Sequence, residues 1–222
     1  SGRAADSAGE VDLLADIDTT SWWDDSEDWH REYVEAAPTD GLIASVESDL
    51  GFRLPASYVA FMRRHNGGLP RLTCCPMATP TSWGEDHAVV AGFFAIGRSV
   101  PKSLCGTSGS KFWISSWGYP ALGVYFADCP SSGHDMIAMD YRHVGPDGEP
   151  QIVHVDQESD YEITVLAPNF AAFVRALRED PDDRLPGAEA GVLAGGGIPV
   201  AGAVSRIFTV LRRRRRTKRR ER

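Results

Sequence analysis

His134, Asp135, Asp140, His154 and Asp156 are the side chains of this sequence best suited to chemistry, and all of them lie in the segment 117–158. Imidazole and carboxylate donors of this kind can hold a hydrolytic metal ion and let it activate water. Their spacing argues against that use. In a strand, His154 and Asp156 project from the same face, whereas the adjacent His134 and Asp135 project from opposite faces, so local geometry does not converge the four. No HExxH pair, nucleophile elbow or phosphate-binding P-loop occurs. The sequence is therefore read as non-catalytic, with no metal and no cofactor, and a metal-dependent hydrolase using these His and Asp residues stands as the last of three readings.

A structural role accounts for the same residues. His134 and Asp135 follow Ser131, Ser132 and Gly133, a turn-forming run in which a polar side chain can bond local backbone and lock the loop. Asp140 is expected to anchor a neighbouring turn or pair with Arg142. Trp113, Trp117, Tyr119, Tyr125 and Phe126 are expected in the core or packed under loops, because aromatic rings dominate burial in small domains.

These residues need a scaffold, and the periodicity supplies one. Leu42, Val46 and Leu50 recur at helical spacing over 40–50, with Thr39 or Asp40 to cap the start and Gly51 to end it. A second helix begins at Pro55, carries Tyr58, Phe61, Met62 and His65 on one face, and stops at Asn66, Gly67 and Gly68. From Leu69 the pattern changes to short β-branched and aromatic runs at 89–96, 123–126, 136–141, 151–156 and 163–165. Gly145, Pro146, Asp147 and Gly148 predict a hairpin between two of them. A last helix over 168–178 presents Phe170, Phe173, Val174 and Leu177. Helices, then strands, then a helix make an α+β fold with a central, mostly antiparallel sheet flanked by helices.

Charge divides the chain. Its formal net charge is −8, yet residues 212–222 hold nine Arg or Lys and one Glu, leaving 14 basic and 30 acidic residues in 1–211. An acidic body repels nucleic acid and attracts basic protein surfaces. Residues 1–21 read as an acidic flexible leader, 22–178 as one domain, and 179–222 as a linker, a Gly-rich segment and a basic tail. The tail is open to nucleic acid, anionic lipid, a nuclear signal, or folding back on the acidic body. Segment 191–211 reads poorly as a membrane span, since six of its residues are Gly or Pro and Arg206 interrupts it. Cys74, Cys75, Cys105 and Cys129 form no CxxC pair and are expected as reduced thiols of a cytoplasmic protein, with no function assigned.

With these elements placed, the chain resembles the SUKH superfamily in its Smi/Knr-type branch. The resemblance is carried by WWDDSEDWHREYV from Trp22, LGFRLPASYVAFMRRHNGG from Leu50, TSWGEDH from Thr81, GYPALGVYF from Gly118, GHDMIAMDYR from Gly133, GPDGEPQIVHVDQE from Gly145 and LAPNFAAFVRAL from Leu166. It implies an α+β fold and a binding role: many bacterial members are immunity proteins that cap a toxin, often a nuclease, and fungal relatives regulate cell-wall synthesis. The expected partner is a cognate toxin or another basic protein, with no small-molecule substrate. The alternative is a regulatory scaffold for an endogenous partner. Capping a basic surface needs exposed carboxylates and aromatics, because charge speeds encounter and rings supply affinity. Asp128, Asp147, Glu149, Asp156, Glu158 and Asp160, extended by Trp83, Glu85 and Asp86, are the expected partner-binding face. Glu149, Asp156 and Glu158 are accordingly expected to matter for binding and not for folding, the reverse of His134, Asp135 and Asp140.

Overall fold

The computed structural model describes residues 14–24 and 27–180. The chain divides into two units, Ser1–Arg178 and Glu179–Arg222. Residues 1–13 of the expected leader, the Gly-rich segment and the basic tail lie outside the described residues.

The first unit opens with β1 (Trp23–Asp24), α1 (Glu27–Tyr33), α2 (Asp40–Leu50), α3 (Ala56–Arg64), β2 (Leu69–Pro70), β3 (Cys74–Pro76), β4 (His87–Val89) and β5 (Gly92–Phe93). It continues through α4 (Ser110–Trp117), β6 (Gly123–Asp128), β7 (Asp135–Asp140), β8 (Gln151–Asp156), a 3₁₀ turn (Gln157–Ser159), β9 (Glu162–Ala167) and α5 (Phe170–Ala176). The fold is α+β, as the residue patterns imply. Strands β5 to β9 form one antiparallel sheet in sequential order, and β1 with β2 and β3 with β4 form two small ribbons.

Helix α2 ends where its caps dictate. Thr39 Oγ1 accepts the Leu42 N–H at 3.2 Å, and Gly51, at φ +80°, takes the left-handed position beyond the last turn. Asn169 caps α5 in the same way, accepting from Ala172 N–H at 2.8 Å. The sheet's central strands are buried along their whole length, because helices cover one face and loops with α4 the other. Phe126 of β6 packs against Tyr58 of α3 and against Phe170 and Phe173 of α5. Its neighbour Tyr125 points the other way and meets Tyr119, while its own N–H donates to Ser110 Oγ of α4.

Two expectations change, and two helices appear that residue spacing did not indicate. The run 89–96 is not one strand: β4 and β5 belong to different sheets, with Val90 N–H bonded to Thr73 and Ala91 N–H to Asp128. Helices α1 and α4 arise where the sequence shows little helical periodicity, and tertiary contacts hold them. Trp113 of α4 packs on Tyr119, and Tyr33 of α1 bonds Asp128. The acidic leader is not free throughout, since Leu14 is fully buried in the core and Arg175 binds Asp16 through both oxygens at 2.7 and 2.9 Å.

Gly67 shows how tightly the helical layer meets the sheet. It sits at φ +90°, and a Cβ there would lie 2.1 Å from the Tyr33 carbonyl oxygen. Gly67→Ala should therefore lower unfolding free energy by about 3 kcal/mol, combining backbone strain with a forced backbone shift. Gly145→Ala, also at positive φ but facing open space, should cost only about 1 kcal/mol. Urea denaturation of the two variants checks both figures.

Candidate functional site

The antiparallel register gathers four strand ends at one end of the sheet. Asp128 pairs with Met136, Asp135 with Asp156, and Asp156 with Glu162, so β6 and β8 finish where β7 and β9 begin. Asp140 and Gln151 pair at the opposite end, five residues along β7, or roughly 17 Å away at the usual strand rise. The expected acidic face is thus split. Exposed Asp147 and Glu149 belong to the β7–β8 turn at the far end, whereas Glu158 and Asp160 lie near the gathered ends.

Asp128 and Asp156 do not join that face, because each is buried, at 7% and 1% exposure. Asp128 accepts hydrogen bonds from Tyr33 Oη at 3.0 and 2.9 Å and pairs with Lys102 Nζ at 2.7 Å. Lys102 in turn lies over the Phe94 and Trp113 rings, 5.4 and 5.2 Å from their centroids, so the charge is enclosed by aromatic faces. Asp156 closes the end of β8: its Oδ2 accepts from Ser82 N–H at 2.9 Å, Ser82 Oγ at 2.6 Å and Ser159 Oγ at 3.0 Å, and its Oδ1 accepts from Glu158 N–H. It therefore ties loop 81–87 to the 3₁₀ turn, and changing it should damage folding, contrary to the expectation that it matters for binding alone.

Of the residues expected to lock loops, Asp140 is hydrogen-bonded to the segment that follows β7 and to Gln151 at the start of β8. Arg142 grips it with Nε at 2.9 Å and Nη2 at 2.8 Å, Arg142 N–H adds a third bond, and Gln151 a fourth. Asp135 acts otherwise. Its N–H donates to Ser131 Oγ, which makes Ser131 the local lock, and its carboxylate reaches across the sheet to His154 Nε2 at 2.7 Å. Asp135 and His154 are 3% and 0% exposed, so no substrate reaches them in this arrangement. His134 points away from both, toward the surface, with Nδ1 3.0 Å from Gln157 Oε1 and 3.9 Å from Glu158 Oε1.

His134 marks the centre of an exposed patch. Its ring lies 6.2 Å from Trp83 and 6.0 Å from Trp117, and Trp117 continues into buried Trp113 at 5.2 Å. Tyr161 Oη donates to the Trp117 carbonyl at 2.5 Å, fixing the 3₁₀ turn against the end of α4. Glu85 and Asp86, on the same loop as Trp83, and Glu158 and Asp160, on the β8–β9 connection, are exposed. The non-glycine residues with left-handed backbone among those described are Ser132, Asp160 and Tyr161, and all three flank this patch. A bulky residue such as Tyr161 in that region carries strain that packing must hold in place. Sequence reading singled out Trp83 and Glu158 but missed Trp117, His134 and Gln157 as surface partners. Their juxtaposition depends on contacts 17 residues or more apart in the chain.

Cys74, Cys75, Cys105 and Cys129 form no disulfide, and Cys74, Cys75 and Cys129 are buried. Burial pushes Cys75 up to about 12. Cys129 is raised well above the usual thiol value, first by burial and then by the neighbouring charges of Asp135 and Asp128.

The antiparallel sheet and its flanking helices define an α+β domain. The SMI1/KNR4 family (SUKH-1) matches residues 37–176, and the chain belongs to that family. No curated protein matches this chain. Among the described residues, no helix is long and apolar enough to cross a membrane.

Asp140 and Asp156 give the domain a measurable acid sensitivity. Burial raises each carboxyl, but hydrogen bonds outweigh it, from Arg142 and Gln151 on Asp140 and from Ser82 and Ser159 on Asp156, so both sit below the usual carboxylate value. A depressed folded-state pKa contributes stability that is present above the unfolded value of 3.8 and lost as pH falls through the folded one. Unfolding free energy should therefore fall on acidification below about pH 4, and the fall should be shallower in Asp140→Asn and Asp156→Asn. Urea titrations between pH 7 and pH 2.5 measure it.

Proposed function

We propose that this chain is a non-catalytic protein-binding module, an immunity protein that acts in the cytoplasm and neutralises a cognate nuclease-type toxin by covering its basic active surface. The covering face is the patch of Trp83, Glu85, Asp86, Trp117, His134, Glu158 and Asp160. Membership of the SMI1/KNR4 family supports the reading, together with one observation that carries it: the partly exposed rings of Trp83, His134 and Trp117 meet at a tied end of the sheet, with Glu158 beside His134 and exposed carboxylates on the same connections. Aromatic anchors surrounded by charge suit a tight, steered protein contact.

The mechanism is steric, so no residue performs a reaction. Carboxylates attract the toxin's cationic substrate groove and raise the encounter rate, and that contribution weakens as salt screens it. Ring burial then slows dissociation. Asp156 and Tyr161 keep the two loops in register, so binding does not have to order them.

Co-expression with the product of the neighbouring gene, tested as the toxin, examines the reading. Restored growth and a co-purifying complex are expected. Trp83→Ala and Glu158→Lys should each weaken binding at least tenfold in calorimetry, about 1.4 kcal/mol or more. Asp147→Lys and Glu149→Lys, at the other end of the sheet, should leave it within twofold. Absence of rescue and of a complex with the wild-type chain would overturn the proposal, as would a complex broken only by the far-end changes.

A further inference from the structure

Beneath the patch, Cys129, Asp135 and His154 form a cluster that the proposed binding role does not use. Cys129 directly follows β6, Asp135 opens β7, and His154 lies in β8. The register sets Asp135 opposite Asp156, two residues beyond His154, so Asp135 and His154 share one face of the sheet. The connection from Cys129 back to Asp135 is held by the Ser131 bond to Asp135 N–H and turns through Ser132 at φ +63° and Gly133 at φ +97°. One ligand atom from each of the three residues lies within 4.8 Å of the other two, and all three residues are buried. Two donors bound to one zinc ion at 2.0 to 2.3 Å can be no more than about 4.6 Å apart. The cluster is within a few tenths of an ångström of that limit.

A second observation concerns satisfaction. Asp135 Oδ1 and His154 Nδ1 are buried and have no hydrogen-bond partner, although their residues are 3% and 0% exposed. Buried polar atoms normally find partners, and leaving two of them orphaned on one bonded pair of residues is costly. The bond between His154 Nε2 and Asp135 Oδ2 does not remove the deficit, since it engages only one atom of each group.

We propose that Cys129, Asp135 and His154 hold one divalent cation of the zinc class as a structural ion at the end of the sheet. A thiolate with an imidazole selects a borderline-soft ion over magnesium or calcium. Three protein donors leave one tetrahedral position, which an enclosed water fills. On binding, the Cys129 S–H bond gives way to a sulfur–metal bond and its proton leaves to solvent. Carboxylate and neutral imidazole bind through lone pairs without a change in oxidation state. The ion enters as the chain folds, because the closed sheet offers no path to it. It joins β6, β7 and β8 at the end that carries the surface patch. This assignment stands apart from the toxin-binding reading, and either can fail alone.

The experiment uses the full untagged chain, refolded from denaturant with one equivalent of cobalt(II) as a spectroscopic substitute. We expect stoichiometric uptake, an intense near-ultraviolet thiolate-to-cobalt absorption, and displacement of cobalt by zinc. Cys129→Ser should lose that absorption, whereas Cys105→Ser should keep it. Should Cys129→Ser fail to fold, the wild-type chain still decides the matter. Refolding with zinc at a hundredfold excess over Kd should raise Tm by about 5 °C relative to refolding with chelator. No thiolate absorption together with an unchanged Tm overturns the proposal, as does an absorption that survives in folded Cys129→Ser. A water molecule satisfying the two atoms would give the first of those results.

Discussion

Strand β7 begins on Asp135, ends on Asp140, and is buried at all six of its residues. That one circumstance organises much of the domain. A carboxylate taken out of water must find a cation or a set of donors, because an isolated buried charge is far more costly than a buried apolar group. Asp140 is met by the Arg142 fork and Gln151, and Asp135 by His154 on the neighbouring strand. The same pressure acts on Asp128 and Asp156 at the ends of β6 and β8, which are answered by Tyr33 with Lys102 and by Ser82 with Ser159. Each answer draws in a segment the sheet alone would not hold: α1, the loop before α4, loop 81–87, and the 3₁₀ turn.

The apolar layer complements this polar frame without duplicating it. Phe93, Phe126, Phe170 and Phe173 form a continuous ring cluster with Tyr58 and Phe61, which fixes α3 and α5 on one face. Ring packing of this kind sets distance and burial but is tolerant of small slips. The carboxylates set register, since a displacement of one residue would turn Asp135 away from His154 and leave both unpartnered. Stability and specificity of the strand ends thus come from different residues. It follows that the surface patch rests on buried charge as much as on rings, for Trp83 is positioned by Ser82 on Asp156, and Trp117 by the bond from Tyr161.

Much of the fold was legible from residue order. The caps and apolar spacing of α2, the Pro55 start of α3, the Gly-Pro-Asp-Gly turn and the runs that became β6 to β9 all rest on interactions within a few residues, which is the range sequence patterns report. Helices α1 and α4 were not legible, because their sequences are held by distant partners. The split of 89–96 into β4 and β5 escaped for the same reason, as apolar character cannot say which sheet a residue joins. Among the site residues, Asp140 with Arg142 was visible because the two lie two positions apart. Asp128 and Asp156 misled because a carboxylate near a predicted loop looks exposed until its partners, 95 and 74 residues away, are known.

Residue order alone determined the fold class, the family pattern and the acidic body, since each depends on composition or on local spacing. Tertiary structure alone decided which carboxylates are buried and which are offered to solvent. It did so because burial is a property of what packs above a residue, and at this end of the sheet much of that covering comes from α1 and loop 81–87, both remote in sequence from Asp128 and Asp156, which they enclose.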